Sequence, residues 1–137
     1  MKAKQFAALP FRLDKGKAKI LLITTRKKGR WTIPKGWPIK GRKPRAAAAI
    51  EAFEEAGVVG KIGRRCVGRF KHCKNIESRK VECAVEIFPL AVQRKLRRWP
   101  EKRERKRRWF TGKKAIRLVR TKGLRHAIRS FAEENSR

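Results

Sequence analysis

The sequence predicts an α+β fold in which helices and a mixed β-sheet form a sandwich. Strand-like runs rich in β-branched residues are mixed with helix-like runs, without the regular β-α-β order of a purely parallel sheet. Residues 44–56 have the composition of a helix, and residues 122–134 place apolar side chains at helical spacing. At 137 residues the chain is long enough to bury a core, and we assign residues 1–137 to a single domain.

Strands are predicted first along the chain. The run KQFAALPFRLD contains Pro10, which predicts an edge or bulged strand because proline cannot donate a ladder hydrogen bond. The dense apolar run AKILLITTR, residues 18–26, predicts a second strand, and RWTIP, residues 30–34, predicts a short third one. Two glycines and two prolines in residues 35–44 predict a stiff loop.

A helix is predicted directly after this loop, over residues 44–56. Its sequence, RAAAAIEAFEEA after Pro44, is dominated by alanine and glutamate, which are strong helix formers. Pro44 suits the first turn, and Gly57 suits a C-terminal cap in the left-handed conformation.

The second half of the chain predicts a β-hairpin and two further helices. Residues 58–72 and 78–92 alternate in polarity and are joined around KNIE. A polar, basic connection leads to a short strand at residues 107–111. Helices are predicted at residues 112–119 and 122–134, the second with apolar residues along one face.

The charge of the chain predicts polyanionic partners. Lys and Arg number 41 against 11 Asp and Glu, a formal net charge of +30. This favours phosphates, nucleic acid or anionic membrane surfaces, and it is also what deliberate surface engineering would produce. The longest apolar runs are too short to span a membrane, and the first residues lack the apolar stretch of a signal peptide. We therefore expect a cytoplasmic protein with no membrane association, and no protein partner is predicted.

Cysteine and histidine residues carry no predicted chemistry. Cys66, Cys73 and Cys83 are odd in number and form no C-x-x-C pair, which favours three reduced thiols on strands over a metal site. His72 and His126 have no evident partner and are expected to be structural or exposed. Among the tryptophans, the two in predicted strands, 31 and 109, are expected in the core, and the tryptophan at 99 is expected to anchor a turn.

Three acidic residues stand out in the predicted helix. Glu51, Glu54 and Glu55 are related as i, i+3 and i+4, which places them on one helical face where like charges repel. Neighbouring Lys and Arg side chains could offset this repulsion, or a divalent cation could, since Mg²⁺ and Mn²⁺ prefer carboxylate ligands. By itself the spacing favours the first explanation, because such triplets are common on surface helices.

The longer segment GWPIKGRKPRAAAAIEAFEEAGV, residues 36–58, resembles the Nudix box. That pattern is a glycine, five residues, a glutamate, seven residues, then Arg-Glu-hydrophobic-x-Glu-Glu-x-Gly-hydrophobic. The matching positions, with no gap, are Gly36, Glu51, Ala52, Glu54, Glu55, Gly57 and Val58. The preceding RWTIPKG is similar to the family's entry into this loop. The resemblance implies a Nudix-type α/β/α sandwich with a central mixed β-sheet and the box helix packed on it.

Two positions depart from the box. Arg42 stands where the pattern has its first glutamate, and Ile50 stands where it has its arginine. In the family these two residues are thought to brace loop and helix as an ion pair, so the bracing must come from elsewhere, for example from Ile50 packing inward. Arg42 adds positive charge near the carboxylates and should weaken cation binding. A catalytically weakened protein of the same fold, binding RNA or another polyanion, is therefore the alternative function.

The resemblance implies a metal-dependent hydrolase of diphosphate linkages. Glu51, Glu54 and Glu55 would be catalytic residues and ligands of Mg²⁺ or Mn²⁺, and the Gly36 carbonyl would be a further ligand. Either Glu51 or Glu55 would serve as the base. Candidates for a base or ligand outside the box are three acidic residues of later segments, Glu77, Glu101 and Glu104.

The loop PKGWPIKG is similar to that of the branch acting on diphosphoinositol polyphosphates and dinucleoside polyphosphates. These substrates are rich in negative charge, which the basic chain suits on physical grounds. Arg12, Lys35 and Lys40 are the predicted phosphate contacts, and Trp37 is predicted to line the site. Dinucleoside polyphosphate, diphosphoinositol polyphosphate, nucleotide sugar and capped RNA are the substrates left open.

Overall fold

A computed structural model of the chain describes residues 2–136, which form an eight-stranded β-sheet with helices on both faces. The strands, in chain order, are β1 (Lys2–Asp14), β2 (Lys17–Thr24), β3 (Trp31–Thr32), β4 (Lys35–Gly36), β5 (Val58–Ile62), β6 (Gly68–Ile76), β7 (Arg79–Lys95) and β8 (Arg107–Thr111). The helices are α1 (Pro44–Glu51), α2 (Gly112–Leu118) and α3 (Lys122–Glu134). Helix α1 continues without a break into a π-helical turn, Ala52–Ala56, and we call the two together the box helix.

The sheet is mixed, as the sequence predicts. Its strand order is β3-β2-β1-β7-β5, with β4 paired to β1, β6 to β7 and β8 to β2. The central pair β1 and β7 runs parallel, whereas the other pairs run antiparallel. The predicted α+β architecture is therefore confirmed.

Strand β1 lies at the centre of this sheet, so the prediction that Pro10 marks an edge or bulged strand is wrong. Pro10 is buried and stands opposite Leu90 of β7. On the other side of β1, the Ala8 amide donates to the Pro34 carbonyl, and pairing with β2 starts only at Phe11. The proline nitrogen faces this side, because residues two apart on a strand point the same way. The Pro10 nitrogen therefore lies in the gap between Pro34 and strand β2, where the sheet needs no N–H donor.

Two layers of apolar side chains separate the helices from the sheet. One layer lies beneath the box helix. The buried residues that the helix contributes to this apolar layer are all alanines: Ala47, Ala48, Ala52 and Ala56. Small side chains let the helix backbone approach the sheet closely, and this fixes the height of the box helix above β1. The other layer lies beneath α2 and α3 and includes Leu124, Ile128 and Phe131, the predicted apolar face of α3.

The remaining elements follow the predictions with one difference. The hairpin is formed by β6 and β7, and its turn at Glu77 and Ser78 has positive φ angles of 50° and 65°. The residues 58–72, expected to form one strand, are divided into β5 and β6, which pair with different parts of the long strand β7. No helix among residues 2–136 is long and apolar enough to cross a membrane.

Candidate active site

The π-helical turn decides which of the predicted acidic residues come together. Glu51 ends α1, whereas Glu54 and Glu55 lie within the turn. A turn closed by i→i+5 bonds holds more residues than an α-helical turn. Side chains four residues apart therefore point in more nearly the same direction, and side chains three residues apart point in more different directions. Of the two neighbouring acids, Glu55 acts more strongly than Glu54 on the Glu51 carboxyl, and we call Glu51 and Glu55 the carboxylate pair.

Gly36 is packed directly against this carboxylate pair. It lies in β4, paired with Phe6 of β1, and is buried. A Cβ atom at this position would overlap the carboxyl group of Glu51. A side chain at position 36 would therefore displace the Glu51 carboxyl, which gives a physical reason for the glycine that opens the box.

Glu55 is held by two donors from outside the helix. The backbone amide of Lys35 donates to Glu55 Oε1 at 3.2 Å, and Arg105 Nη2 lies 3.4 Å from Glu55 Oε2. The residue is only 9% exposed. The Glu55 carboxyl is thus fixed between the glycine-rich loop and a basic residue that lies far along the chain.

Burial of these acids changes their proton affinity. Burial, followed by the nearby charges of Glu55 and Glu54, raises the pKa of Glu51 to about 7. The pKa of Glu55 is also raised by burial, against the opposing effects of Arg105 and of the Lys35 amide. Both shifts favour the neutral carboxyl group over the carboxylate in the metal-free protein, as burial and crowding of acids do.

A segment that the sequence predicts only as a polar connection caps the C-terminal end of the box helix. We call residues 96–107 the capping loop. The last carbonyls of a helix have no partners within it, yet here the carbonyls of residues 54–57 all accept hydrogen bonds. The donors are Glu101 N to Glu54 (3.0 Å), Trp99 Nε1 to Glu55 (3.2 Å), Arg107 Nη1 to Ala56 (2.9 Å) and Gly57 (3.1 Å), and Leu96 N to Gly57 (2.8 Å).

The capping loop also brings a buried arginine to the acidic pair. Arg105 Nε donates to Glu101 Oε1 at 2.9 Å, and Arg105 Nη1 donates to the Thr24 carbonyl at 3.1 Å. Its side chain is only 10% exposed. Sequence reasoning missed Arg105 because the capping loop is so rich in basic residues that no single one stands out. The one local signal is Glu101 at i−4, a spacing that favours an ion pair only in a helical turn.

A basic pocket begins at Lys35, whose backbone holds Glu55. Its volume is about 210 Å³, and it is lined by Thr25, Arg30, Trp31, Thr32, Lys35, Phe70, His72, Arg120, Thr121 and Leu124. Burial lowers the pKa of the Lys35 ammonium, although Glu55 opposes this effect. Burial, together with Lys35 and Lys74, lowers the pKa of His72 to about 4, and its Nε2 lies 2.7 Å from Gln5 Oε1. The pocket therefore presents cations beside a neutral imidazole at neutral pH.

The predicted substrate residues are not all brought to this pocket. Lys35 lines it, and Trp37 is exposed next to it, with the Lys74 ammonium 5.4 Å from its ring. Lys40 is exposed in the turn that follows. Arg12 lies further along β1, about 20 Å from Phe6 at about 3.3 Å per residue, and covers the Trp109 ring at 4.6 Å. Arg12 therefore does not line this pocket and stands near the end of β1.

Of the three acids considered outside the box, the fold brings Glu101 to the site. It is bonded to Arg105, and its charge contributes to the raised pKa of Glu51. Glu104 forms an exposed ion pair with Arg26, and Glu77 lies in the β6–β7 turn. Chain order alone could not separate these three, because the choice depends on how the capping loop folds over the helix.

The two residues that depart from the box do not replace its ion pair. Arg42 is exposed, and Ile50 is half-buried and belongs to neither core cluster of the described residues. Inward packing of Ile50 is therefore not the brace. Glu55 is braced by the Lys35 amide and Arg105 instead.

The acidic residues fit a divalent cation only in part as they stand. Among residues 2–136, no three His, Cys, Asp or Glu side chains form a group that could hold a metal ion. Glu51 and Glu55 nevertheless lie close enough for their charges to interact, and glycine at position 36 leaves no side chain in front of the Glu51 carboxyl. Mg²⁺ commonly takes one or two carboxylates and completes its shell with water and substrate phosphate. The donor set therefore suits this type of cation.

The pH dependence of stability tests the raised pKa of Glu51. With a folded pKa of about 7 and an ordinary value of 4.5, the carboxyl holds its proton more tightly when folded. Its stabilising contribution is full below about pH 4.5 and is lost as the pH rises through about 7. The lowered pKa of His72 acts in the opposite direction, giving stability that is lost as the pH falls through about 4.

The comparison of wild type with Glu51→Gln isolates the first effect. We expect the wild type to lose thermal stability relative to this variant between about pH 5 and about pH 8, measured in the presence of EDTA. His72 is common to both proteins and cancels. Parallel curves of melting temperature against pH would show that the pKa of Glu51 is not raised.

The fold and the site together define an α/β/α sandwich whose helix sets a carboxylate pair against a glycine-rich loop. Comparison with known proteins agrees with this description. A family model described as the NUDIX domain matches residues 1–131. The chain therefore belongs to the Nudix family, as the box predicts.

Similar proteins include hydrolases named for diphosphoinositol polyphosphates. Nudix hydrolase 21, chloroplastic, of Arabidopsis thaliana is 33% identical over 128 residues, covering 90% of this chain and 63% of that protein. Diphosphoinositol polyphosphate phosphohydrolase 3-beta of Bos taurus is 32% identical over 126 residues, covering 90% of this chain and 73% of that protein. These matches confirm the predicted resemblance to that branch of the family, and the chain spans less than two thirds of the length of the plant relative.

A solved structure with the same fold is an Ap4A hydrolase of C. elegans. It superposes with a TM-score of 0.71 at 20% identity, covering 96% of each chain. At this identity the likeness concerns the fold alone. It confirms that the predicted sandwich, with the box helix on a mixed sheet, is a Nudix fold.

Proposed function

We propose that the chain hydrolyses a diphosphate linkage in a small polyanionic substrate with the help of a divalent cation, Mg²⁺ or Mn²⁺. One observation carries this proposal. Lys35 connects the acidic pair to the basic pocket, because its amide holds Glu55 while its side chain lines the pocket. Carboxylates for a cation and basic side chains for phosphates therefore meet at a single residue.

The residues that would hold the cation are Glu51, Glu55 and the Gly36 carbonyl, with Glu54 as a further ligand. Such a cation polarises phosphoryl oxygens and lowers the pKa of water. Glu51 is the residue that we propose as the base. Glu55 is less suited to this role, because the Lys35 amide and Arg105 hold its two oxygens.

The basic pocket would bind the phosphates of the substrate. Arg30, Lys35 and Arg120 supply charge-assisted hydrogen bonds to phosphate oxygens. Trp37 would cover the mouth of the pocket, and Lys40 would attract the substrate from the adjacent turn. We exclude Arg12 from the proposed phosphate contacts because of its position at the far end of β1.

Diphosphoinositol polyphosphates and dinucleoside polyphosphates are the substrate classes that we propose first. The name of the bovine relative supports the first class, and the charge of the chain suits both. We also propose that residues 1–137 form one domain and that the protein is cytoplasmic. The plant relative is named as chloroplastic, which makes the compartment a question for localisation in cells.

A substrate panel with and without metal tests the proposed function. Phosphate release should be measured on diphosphoinositol polyphosphates, dinucleoside polyphosphates, nucleotide sugars and capped RNA, with Mg²⁺, with Mn²⁺ and with EDTA. We expect release from at least one substrate that disappears with EDTA. Glu54→Gln serves as a second arm, and we expect it to weaken turnover by removing the further ligand.

Absence of turnover across the whole panel, together with retention of RNA that falls steeply with salt, would overturn the enzyme proposal. It would favour the polyanion-binding alternative, because non-specific binding of phosphates needs only Lys and Arg.

A further inference from the structure

Arg105 is the one basic side chain that contacts the acidic pair through an ion pair among the described residues. It lies 3.4 Å from Glu55 Oε2, and its own exposure is 10%. The box arginine that would supply a positive charge from the helix is replaced by Ile50. Arg105 approaches instead from the capping loop, fifty residues after Glu55 in the chain. It serves no proposed substrate contact.

Buried carboxylates need a counter-charge. Taking ionised groups out of water is costly unless an opposite charge and hydrogen bonds compensate. Two acids with little exposure, Glu55 and Glu101, lie on either side of the Arg105 guanidinium, at 3.4 and 2.9 Å. Arg105 supplies positive charge to both of them.

The contacts of Arg105 differ in strength. Its bonds to Glu101 Oε1 and to the Thr24 carbonyl, at 2.9 and 3.1 Å, have good hydrogen-bond lengths. The contact to Glu55, at 3.4 Å, is longer and is an ion pair without a good hydrogen bond. Arg105 is therefore anchored by Glu101 and Thr24, and its contact with Glu55 is the one that can be given up.

We propose that Arg105 is an internal counter-cation that neutralises Glu55 in the metal-free protein and competes there with a divalent cation. The second half rests on the proposed function, in which Glu55 is a metal ligand. Binding of the cation exchanges the contact with Arg105 for a metal–oxygen contact, while Arg105 keeps Glu101 and Thr24. The guanidinium then opposes the cation by Coulomb repulsion and sets an upper limit on its affinity.

Arg105→Gln separates the two roles, because it removes the charge from both states. We expect the metal-free variant, in EDTA, to melt about 3–6 °C below the wild type, since Glu55 and Glu101 lose their counter-charge. We expect Mn²⁺ to bind this variant about five- to tenfold more tightly in calorimetric titrations, since the repulsion is gone. Arg105→Lys keeps the charge and should bind Mn²⁺ within about twofold of the wild type.

The matched control is Arg103→Gln, an exposed arginine of the same loop. It removes the same charge from the chain. We expect its melting temperature to match that of the wild type and its Mn²⁺ affinity to stay within about twofold, as for other surface substitutions. A tighter Mn²⁺ complex in this control as well would assign the effect to net charge and overturn the proposal.

Weaker or unchanged Mn²⁺ binding by Arg105→Gln would also overturn the proposal, because it would make Arg105 a support of the metal site or leave it without influence on that site. A wild type that binds no Mn²⁺ or Mg²⁺ has a different meaning. It would contradict the metal requirement of the proposed function and with it the competition, while the melting temperatures in EDTA would still decide whether Arg105 is the counter-cation.

Discussion

Glu55→Gln is expected to lower kcat/KM for the hydrolysed substrate by about 10³-fold. The substitution removes the negative charge from a residue that we propose as a metal ligand, and losses of about 10²–10⁴ are usual when such a group is neutralised. The amide oxygen can still accept the hydrogen bond from Lys35 N, which in the wild type is 3.2 Å long. Glutamine has nearly the same shape as glutamate, so the variant should fold.

Glu104→Gln is the control for this prediction. Glu104 belongs to the same part of the surface but pairs with Arg26 in an exposed ion pair, which contributes little. We expect its kcat/KM to stay within about twofold of the wild type, and circular dichroism should show that both variants are folded. Turnover of Glu55→Gln within about tenfold of the wild type would contradict the assignment of Glu55 as a ligand.

Elements with a strong local signal could be predicted from the sequence. Helix α3 has the bounds that its apolar spacing predicts, Lys122–Glu134, because its buried face is decided by residues three and four apart. Gly57 adopts the left-handed conformation, with a φ of 64°, that a helix cap requires. The glycine that opens the box, Gly36, lies where a Cβ atom would meet the Glu51 carboxyl.

Features that depend on distant partners could not be predicted. The position of Pro10 in the central strand is allowed by a gap between β2 and β4, which no local pattern reveals. The π-helical turn changes the angles between the three acids, which would all share a face in a regular α-helix. Partners far along the chain shape both features, so a local reading of propensity gives the wrong geometry.

The site also contains two inward-facing arginines that cannot be recognised from the composition of the chain. In a chain with 41 Lys and Arg, a solvated side chain is the default expectation for each of them. Arg105 and Arg107 are two exceptions, because the capping loop turns both inward onto the box helix. A motif that spans residues 36–58 cannot contain this information, since the brace of the helix comes from residues 96–107.

Arg107→Ala is expected to destabilise the protein by about 3 kcal/mol. The Arg107 guanidinium donates to the carbonyls of Ala56, Gly57 and Leu96, and it lies 3.7 Å from the centre of the Trp99 ring. Carbonyls that lose their partners in a partly buried position cost about 1–3 kcal/mol each, and water offsets some of this cost here. A positive charge at a helix C-terminus also stabilises the helix dipole.

The neighbouring Arg108 provides the matched control, because it lies on the same strand, faces the other way and is exposed. Arg108→Ala should change the free energy of unfolding by no more than about 0.5 kcal/mol. Arg107→Lys keeps the charge but lacks the fork that reaches several carbonyls, and it should recover less than half of the loss. Urea unfolding in EDTA measures all three variants, with slopes compared to exclude a change in the unfolded state. Equal stability of Arg107→Ala and Arg108→Ala would show that the Arg107 guanidinium does not stabilise the cap of the box helix, although it supplies two of the five hydrogen bonds to the carbonyls of residues 54–57.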